Sequence, residues 1–168
     1  MNATYDTYAD SWPSPAKYAT WNDAMRAALA EIEAHQPQLG LVPPEVSMHN
    51  IEWAVNNGKT KQGSYLGTFK DAAKYSLSEL SPAFTALIPN LLLQRQMKYG
   101  KKNVSTFMYV GIGIRMHDKL SRLTHANKDQ DFVDETVQDT RMDIVGYTAI
   151  AIMLAHSQWE LPVQSSMF

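Results

Sequence analysis

No stretch of this chain sustains the period-two alternation of apolar and polar residues that a half-buried strand requires. Its apolar residues recur instead every three or four positions, the spacing that lines one side of an α-helix. Trp21, Met25, Ala28, Leu29 and Ile32 show the pattern first. Thr20 precedes them as a helix cap, and Asp23 stands where it can complete a capping box. The spacing predicts a helix from Trp21 to about His35, ended by Pro37 and Gly40. The stretch from Gln36 to Pro44 holds three prolines and reads as a linker. A short helix is predicted from Ser47 to Asn57 with Gly58 as its C-cap, then a loop marked by Gly63 and Gly67, then a helix from Phe69 to Leu80. Ser81-Pro82 starts the next helix, because proline fits a first turn, and it runs to Tyr99-Gly100 with a kink near Pro89. Helices over Tyr109 to His125 and Val133 to Trp159 complete the set. There is no internal repeat, so the fold class read from the pattern is all-α, a helical bundle. We read it as a single domain over residues 1–168, with an N-terminal helical extension at 1–80 and a helical core at 81–160.

Composition narrows the class further. The 168 residues are 45% hydrophobic and 19% charged, which excludes a disordered tail, a collagen-like fibre and a histone-like basic protein. The absence of cysteine excludes disulfides, thiol catalysis and Cys-ligated zinc. The longest apolar run, around Ala149 to Ala155, is far short of the roughly 20 residues that span a bilayer. Residues 1–10 lack the basic and apolar regions of a signal peptide, so the expectation is a cytoplasmic protein with no membrane partner.

The net charge of −2 conceals a strong segregation. Residues 1–90 carry six basic and nine acidic side chains, residues 91–127 seven basic and one acidic, and residues 128–168 two basic and seven acidic. A basic segment followed by an acidic one can place opposite charges face to face, or around one ligand. Within the basic segment, Arg115, Asp118, Lys119 and Arg122 fall at i, i+3, i+4 and i+7, on one side of a helix. Three cations with one carboxylate suit a phosphate chain, whose oxygens guanidinium groups bind in pairs; the same spacing also suits a solvated face of i,i+4 ion pairs. Within the acidic segment, Glu135, Asp139 and Asp143 follow at i, i+4 and i+8. Such a stripe repels itself unless cations neutralise it, either a divalent metal or the facing Arg115–Lys119–Arg122 side. After Asp143 the helix turns apolar, which sets the carboxylates at the mouth of a core helix. Between the two features, Lys98, Tyr99, Gly100 and Asn103 form a polar turn in which Lys98 and Asn103 can reach a ligand.

Three other matches carry less. Gly58-Lys59-Thr60 resembles the end of a phosphate loop, but Trp53 occupies the first glycine position and no strand precedes it. His117-Asp118 resembles the dyad of HD phosphohydrolases, with His49 and Asp139 or Asp143 as further ligands, yet it reads more simply as part of a charged helix face. No Gly-x-Ser-x-Gly elbow is present.

Taken together, Lys98-Tyr99-Gly100, the run Gly113 to Leu123 holding Arg-x-x-Asp-Lys-x-x-Arg-Leu, and the run Asp134 to Tyr147 holding Glu-x-x-x-Asp-x-x-x-Asp resemble the nucleotide-modification-associated domain 1 family of bacteriophages and bacteria. That family in turn is similar to the all-α, MazG-type nucleoside triphosphate pyrophosphohydrolases. The resemblance covers about residues 84–156. It implies a nucleotide site with magnesium, or manganese, between the last two helices. Carried over by residue, Asp118 stands near the first acidic motif, while Glu135, Asp139 and Asp143 form the second. The Glu-Glu-x-x-Glu motif of MazG itself is absent, and Arg115, Lys119 and Arg122 occupy that helix.

The resemblance thus implies a metal-dependent pyrophosphohydrolase of (d)NTPs, with Asp118, Glu135, Asp139 and Asp143 as metal ligands. Glu135 and Asp139 would be the catalytic carboxylates, and Lys98, Tyr99, Asn103, Arg115, Lys119 and Arg122 the substrate contacts. Trp21, Trp53 or Tyr99 can stack on a base, although core packing explains each as well. The alternatives are a nucleotide-binding module without turnover and a helical adaptor between proteins. A homo-oligomer is expected; direct nucleic-acid binding is not, because the basic stripe is short and faces an acidic one.

Overall fold

In the computed structural model, which describes residues 18–57, 62–125 and 133–165, Thr20 opens the first helix as its position demands. Its hydroxyl accepts from the Asp23 N–H at 3.1 Å and starts α1 (Trp21–Ala34), which buries Trp21, Ala24, Met25, Ala28 and Ile32 along one face. The Asp23 carboxylate does not return to the cap but pairs with Arg26 at 3.0 Å.

α2 (Pro44–Asn56) begins three residues before the predicted start, because Pro44 supplies a pre-set first turn and so belongs to the helix instead of the linker. Its C-cap is Asn57, whose side-chain amide donates to the Trp53 carbonyl at 2.7 Å; Gly58 lies outside the described residues. α3 (Gln62–Glu79) corrects the loop predicted at Gly63 and Gly67, since both glycines fall inside the helix. Burial of Tyr65, Leu66, Phe69, Ala72 and Ala73 outweighs the poor helix propensity of glycine there, and the Tyr65 hydroxyl donates to the Ala54 carbonyl at 2.9 Å.

α4 (Pro82–Tyr99) is capped by Ser81 and carries Pro89 in its interior. It stops at Gly100, whose φ of +74° suits glycine and whose N–H returns to the Gln96 carbonyl at 3.0 Å. A single turn, α5 (Lys102–Ser105), leads into α6 (Met108–Thr124) and then α7 (Val133–Ala155). α7 ends four residues short of the predicted Trp159. Ser157 turns out with φ +56°, and the N–H groups of Ser157 and Gln158 bond back to the Leu154 and Met153 carbonyls, a Schellman closure. The reversal carries Trp159 against Trp21, ring centres 5.9 Å apart, and the segment beyond it onto the start of α1. There the Pro162 carbonyl accepts the Trp21 N–H at 2.8 Å, and Asn22 exchanges two hydrogen bonds with the Gln164 backbone.

Regular structure among the described residues is entirely helical, as the all-α reading requires. α7 is the axis of the bundle: α1, α3, α4 and α6 all pack on it, while α2 pairs with α6. One hydrophobic core joins Trp21, Ile51 and Phe69 of the first three helices to Leu93, Met116 and Ile144 of the later ones. A buried His35–Asp71 pair at 2.7 Å and a Lys70–Glu31 pair at 2.9 Å tie α1 to α3. Two glycines set how closely helices approach. A Cβ on Gly146 of α7 would stand 2.9 Å from Leu92 of α4, and one on Gly113 of α6 would stand 2.8 Å from Val55 of α2. Leucine can swing a methyl aside, whereas the short β-branched Val55 has little room to do so. Gly113→Ala is therefore expected to lower unfolding free energy by about 1–2 kcal/mol, overpacking being partly offset by alanine's helix propensity. A lower urea midpoint at unchanged slope checks it.

Candidate anion-binding cleft

The boundary between the charged and apolar parts of α7 falls at Asp143, one residue before the buried Ile144. A carboxylate at that boundary is only partly hydrated, its side chain 12% exposed, and its charge calls for partners. Two helices supply them. Arg95 of α4 places Nη1 2.7 Å from Oδ1, and Lys119 of α6 places Nζ 3.0 Å from Oδ2. Both oxygens of Asp143 are thus held by cations from opposite sides, which fixes the two long side chains at the mouth of one cleft.

The cleft has a volume of about 300 Å³. Arg95, Arg115, Lys119 and Asp143 form its charged part. Tyr99, Tyr147, Trp21 and Trp159 form aromatic walls, and Gln96 and Gly100 complete the side contributed by the end of α4. The Arg115 guanidinium lies 5.9 Å from the centre of the Tyr147 ring, close enough for a cation–π contact. The Trp159 indole donates to the Lys101 carbonyl at 3.0 Å, which ties the turn after α4 to the C-terminal segment. Two buried donors in the lining, Trp21 Nε1 and Gln96 Nε2, have no partner among the described residues.

The residues singled out from sequence distribute unevenly. Arg115, Lys119, Tyr99 and Asp143 come together in the cleft. The four-residue face on α6 divides: Arg115 and Lys119 turn to the cleft, while Asp118 and Arg122 pair with each other at 3.3 Å on the exposed side. Arg122 lies two turns, about 10 Å, farther along the helix than Arg115, and Asp118 is about 100° around it from Lys119, so one cleft takes only part of the set. Asp139 is exposed and lies outside the cleft lining, as does Lys98, whose ammonium sits 5.2 Å from the Tyr99 ring centre. The side chains of Glu135 and Asn103 lie outside the described part of the structure. Trp53 is on α2, outside the cleft lining, and Trp21 is buried in the core beneath the cleft.

The described members of the predicted donor set do not fit a resident divalent metal as they stand. Of Asp118, Asp139 and Asp143 only Asp143 lines the cleft, and both its oxygens already face cations. Among the described residues no three His, Asp or Glu side chains gather into a metal-holding group. The arrangement instead favours an anion. Sequence reasoning missed Arg95 and Gln96, although Arg95 stands four residues before Tyr99 and Gln96 four before Gly100, which puts each on the helix face already under suspicion.

No protein-family model, curated protein or solved structure matches this chain. The chemistry of the cleft has to be read from its own residues.

Asp143→Asn leaves Arg95 and Lys119 without a counter-ion between them. We expect a loss of about 1–3 kcal/mol in urea unfolding, less than for a fully buried pair because the Arg95 side chain is 44% exposed. Added phosphate should recover part of that loss by binding the folded state, and a variant as stable as the parent with no phosphate response would remove the clamp from the account.

Proposed function

We propose that the cleft binds the phosphates of a nucleotide. The observation that carries this reading is the convergence of Arg95, Arg115 and Lys119, from two helices, on a cleft in whose lining Asp143 is the single carboxylate among the described residues. Two guanidinium groups and an ammonium offer the paired donors and compact charge that phosphate oxygens take up. Asp143 keeps two of these cations in place before the ligand arrives, and preorganisation of this kind lowers the cost of binding. The half-exposed Tyr99 and the rings beside it give the rest of the ligand an apolar wall.

A stronger form of the proposal is hydrolysis of a (d)NTP to the monophosphate and pyrophosphate. Its support is the resemblance of residues 84–156 to nucleotide-modification-associated domain 1; the Glu135–Asp139–Asp143 stripe would have to rearrange to furnish a magnesium or manganese site, because Asp143 is paired with Arg95 and Lys119 and Asp139 lies outside the cleft lining. The test takes the full chain with a panel of dNTPs, with and without magnesium, measuring binding by calorimetry and pyrophosphate release by a coupled assay. Binding is expected, weakened about tenfold by Lys119→Ala or Arg95→Ala, the scale of one charge-assisted hydrogen bond. Failure of every nucleotide to bind removes the site reading. Binding without turnover leaves a sequestering module, whereas turnover that collapses in Asp139→Asn supports the hydrolase.

We extend the proposal to a homo-oligomer. Phe107, Met108, Val110 and Ile114 expose apolar side chains together at the start of α6, an arrangement that a second copy can cover. Light scattering should then give a mass above the 18.9 kDa of one chain, and a strict monomer at high concentration overturns this extension.

A further inference from the structure

Three cations can serve phosphate in two ways, spread along a chain of phosphates or gathered around one phosphoryl group. In the cleft they are gathered. Arg95 Nη1 and Lys119 Nζ meet the two oxygens of Asp143 at 2.7 and 3.0 Å, so one group the size of a carboxylate already bridges them. Arg115 stands one turn, about 6 Å, before Lys119 on α6 and lines the same cleft. Three cations and one carboxylate leave a net charge of +2 among the described residues of the lining. The volume of about 300 Å³ lies at the lower end of the roughly 300–1,000 Å³ of small-molecule pockets, and rings such as Tyr99 and Trp159 wall part of it.

Resting on the nucleotide reading of the cleft, we infer that its ligand is a nucleoside monophosphate, held through the dianion of its one phosphoryl group. A phosphomonoester carries about −1.5 to −2 charges at pH 7, which matches the +2 of the lining. Its three terminal oxygens suit two guanidinium groups and an ammonium that close on one point. Each further phosphate of a di- or triphosphate adds a negative charge that finds no additional cation in the described lining. That surplus would sit near Asp143, whose side chain is only 12% exposed, so water screens the repulsion poorly. The small volume beside the rings is left for the neutral nucleoside.

The experiment titrates the full chain by calorimetry, in EDTA, with the four deoxynucleoside monophosphates and their triphosphates. Inorganic phosphate, deoxyribose 5-phosphate and the methyl ester of the best-bound monophosphate complete the panel. For whichever base binds best, the monophosphate is expected to bind at least as tightly as the triphosphate. It should also bind about tenfold more tightly than its methyl ester, which has lost one charge and one terminal oxygen. Arg115→Gln brings the lining to +1, so the preference for the dianion over the ester should shrink; this ratio within one variant does not depend on its stability. A triphosphate bound tenfold more tightly than the monophosphate overturns the inference and leaves the nucleotide reading standing. An ester that binds as well as the monophosphate, or a preference unchanged in Arg115→Gln, overturns it too, by removing the charge match. Phosphate or deoxyribose 5-phosphate binding as tightly as every nucleotide, or no binding at all, takes away the nucleotide reading and this inference with it.

Discussion

A helix that is apolar on every side has to be surrounded, and the second half of α7 is such a helix. Ile144, Val145, Ala149, Ile150, Ala151, Ile152 and Met153 are all buried, and they spread around its circumference instead of along one stripe. Four other helices therefore pack on it, and the rest of the bundle follows from their need to do so. The buried Thr148 hydroxyl in this segment is accounted for, its hydrogen lying between the carbonyls of Ile144 and Phe69 at 3.0 and 3.1 Å. Close approach is arranged with equal economy, Gly146 letting Leu92 of α4 reach the α7 backbone.

Asp143 is the point at which that constraint meets charge. It is the last ionised residue of α7 before the apolar stretch, so it enters the bundle with less water than a carboxylate prefers. Arg95 and Lys119 answer it from the two flanking helices, and in doing so they are drawn to one cleft with Arg115 beside them. The site is thus a consequence of burying α7, not a separate addition to the fold. The C-terminal reversal at Ser157 matters for the same reason, since it brings Trp159 onto Trp21 and walls the cleft with rings.

Much of this was legible in the residues. The helical period, Thr20 and Ser81 as caps, Gly100 as a stop and the helix face shared by Arg115 and Lys119 all follow from local spacing. The errors share a cause. Gly63 and Gly67 read as a loop because glycine disfavours helix, but the burial of Tyr65, Leu66 and Phe69 is a long-range gain that no window of sequence displays. Arg95 was passed over because its partner lies 48 residues away, and Trp21 Nε1 became notable only when the fold left it without an acceptor.

By itself the sequence determined that the chain is helical, where most helices begin and end, and that opposite charges are concentrated on its last two long helices; these are properties of neighbours three and four residues apart. Tertiary structure decided which of those charges meet. It turned Asp118 and Arg122 outward, left Asp139 exposed, and recruited Arg95 from a helix whose pattern is mainly leucine-rich. The physical reason is that a periodic stripe is wider than a cleft, and only the packing of α4 and α6 against α7 selects the side chains that share it.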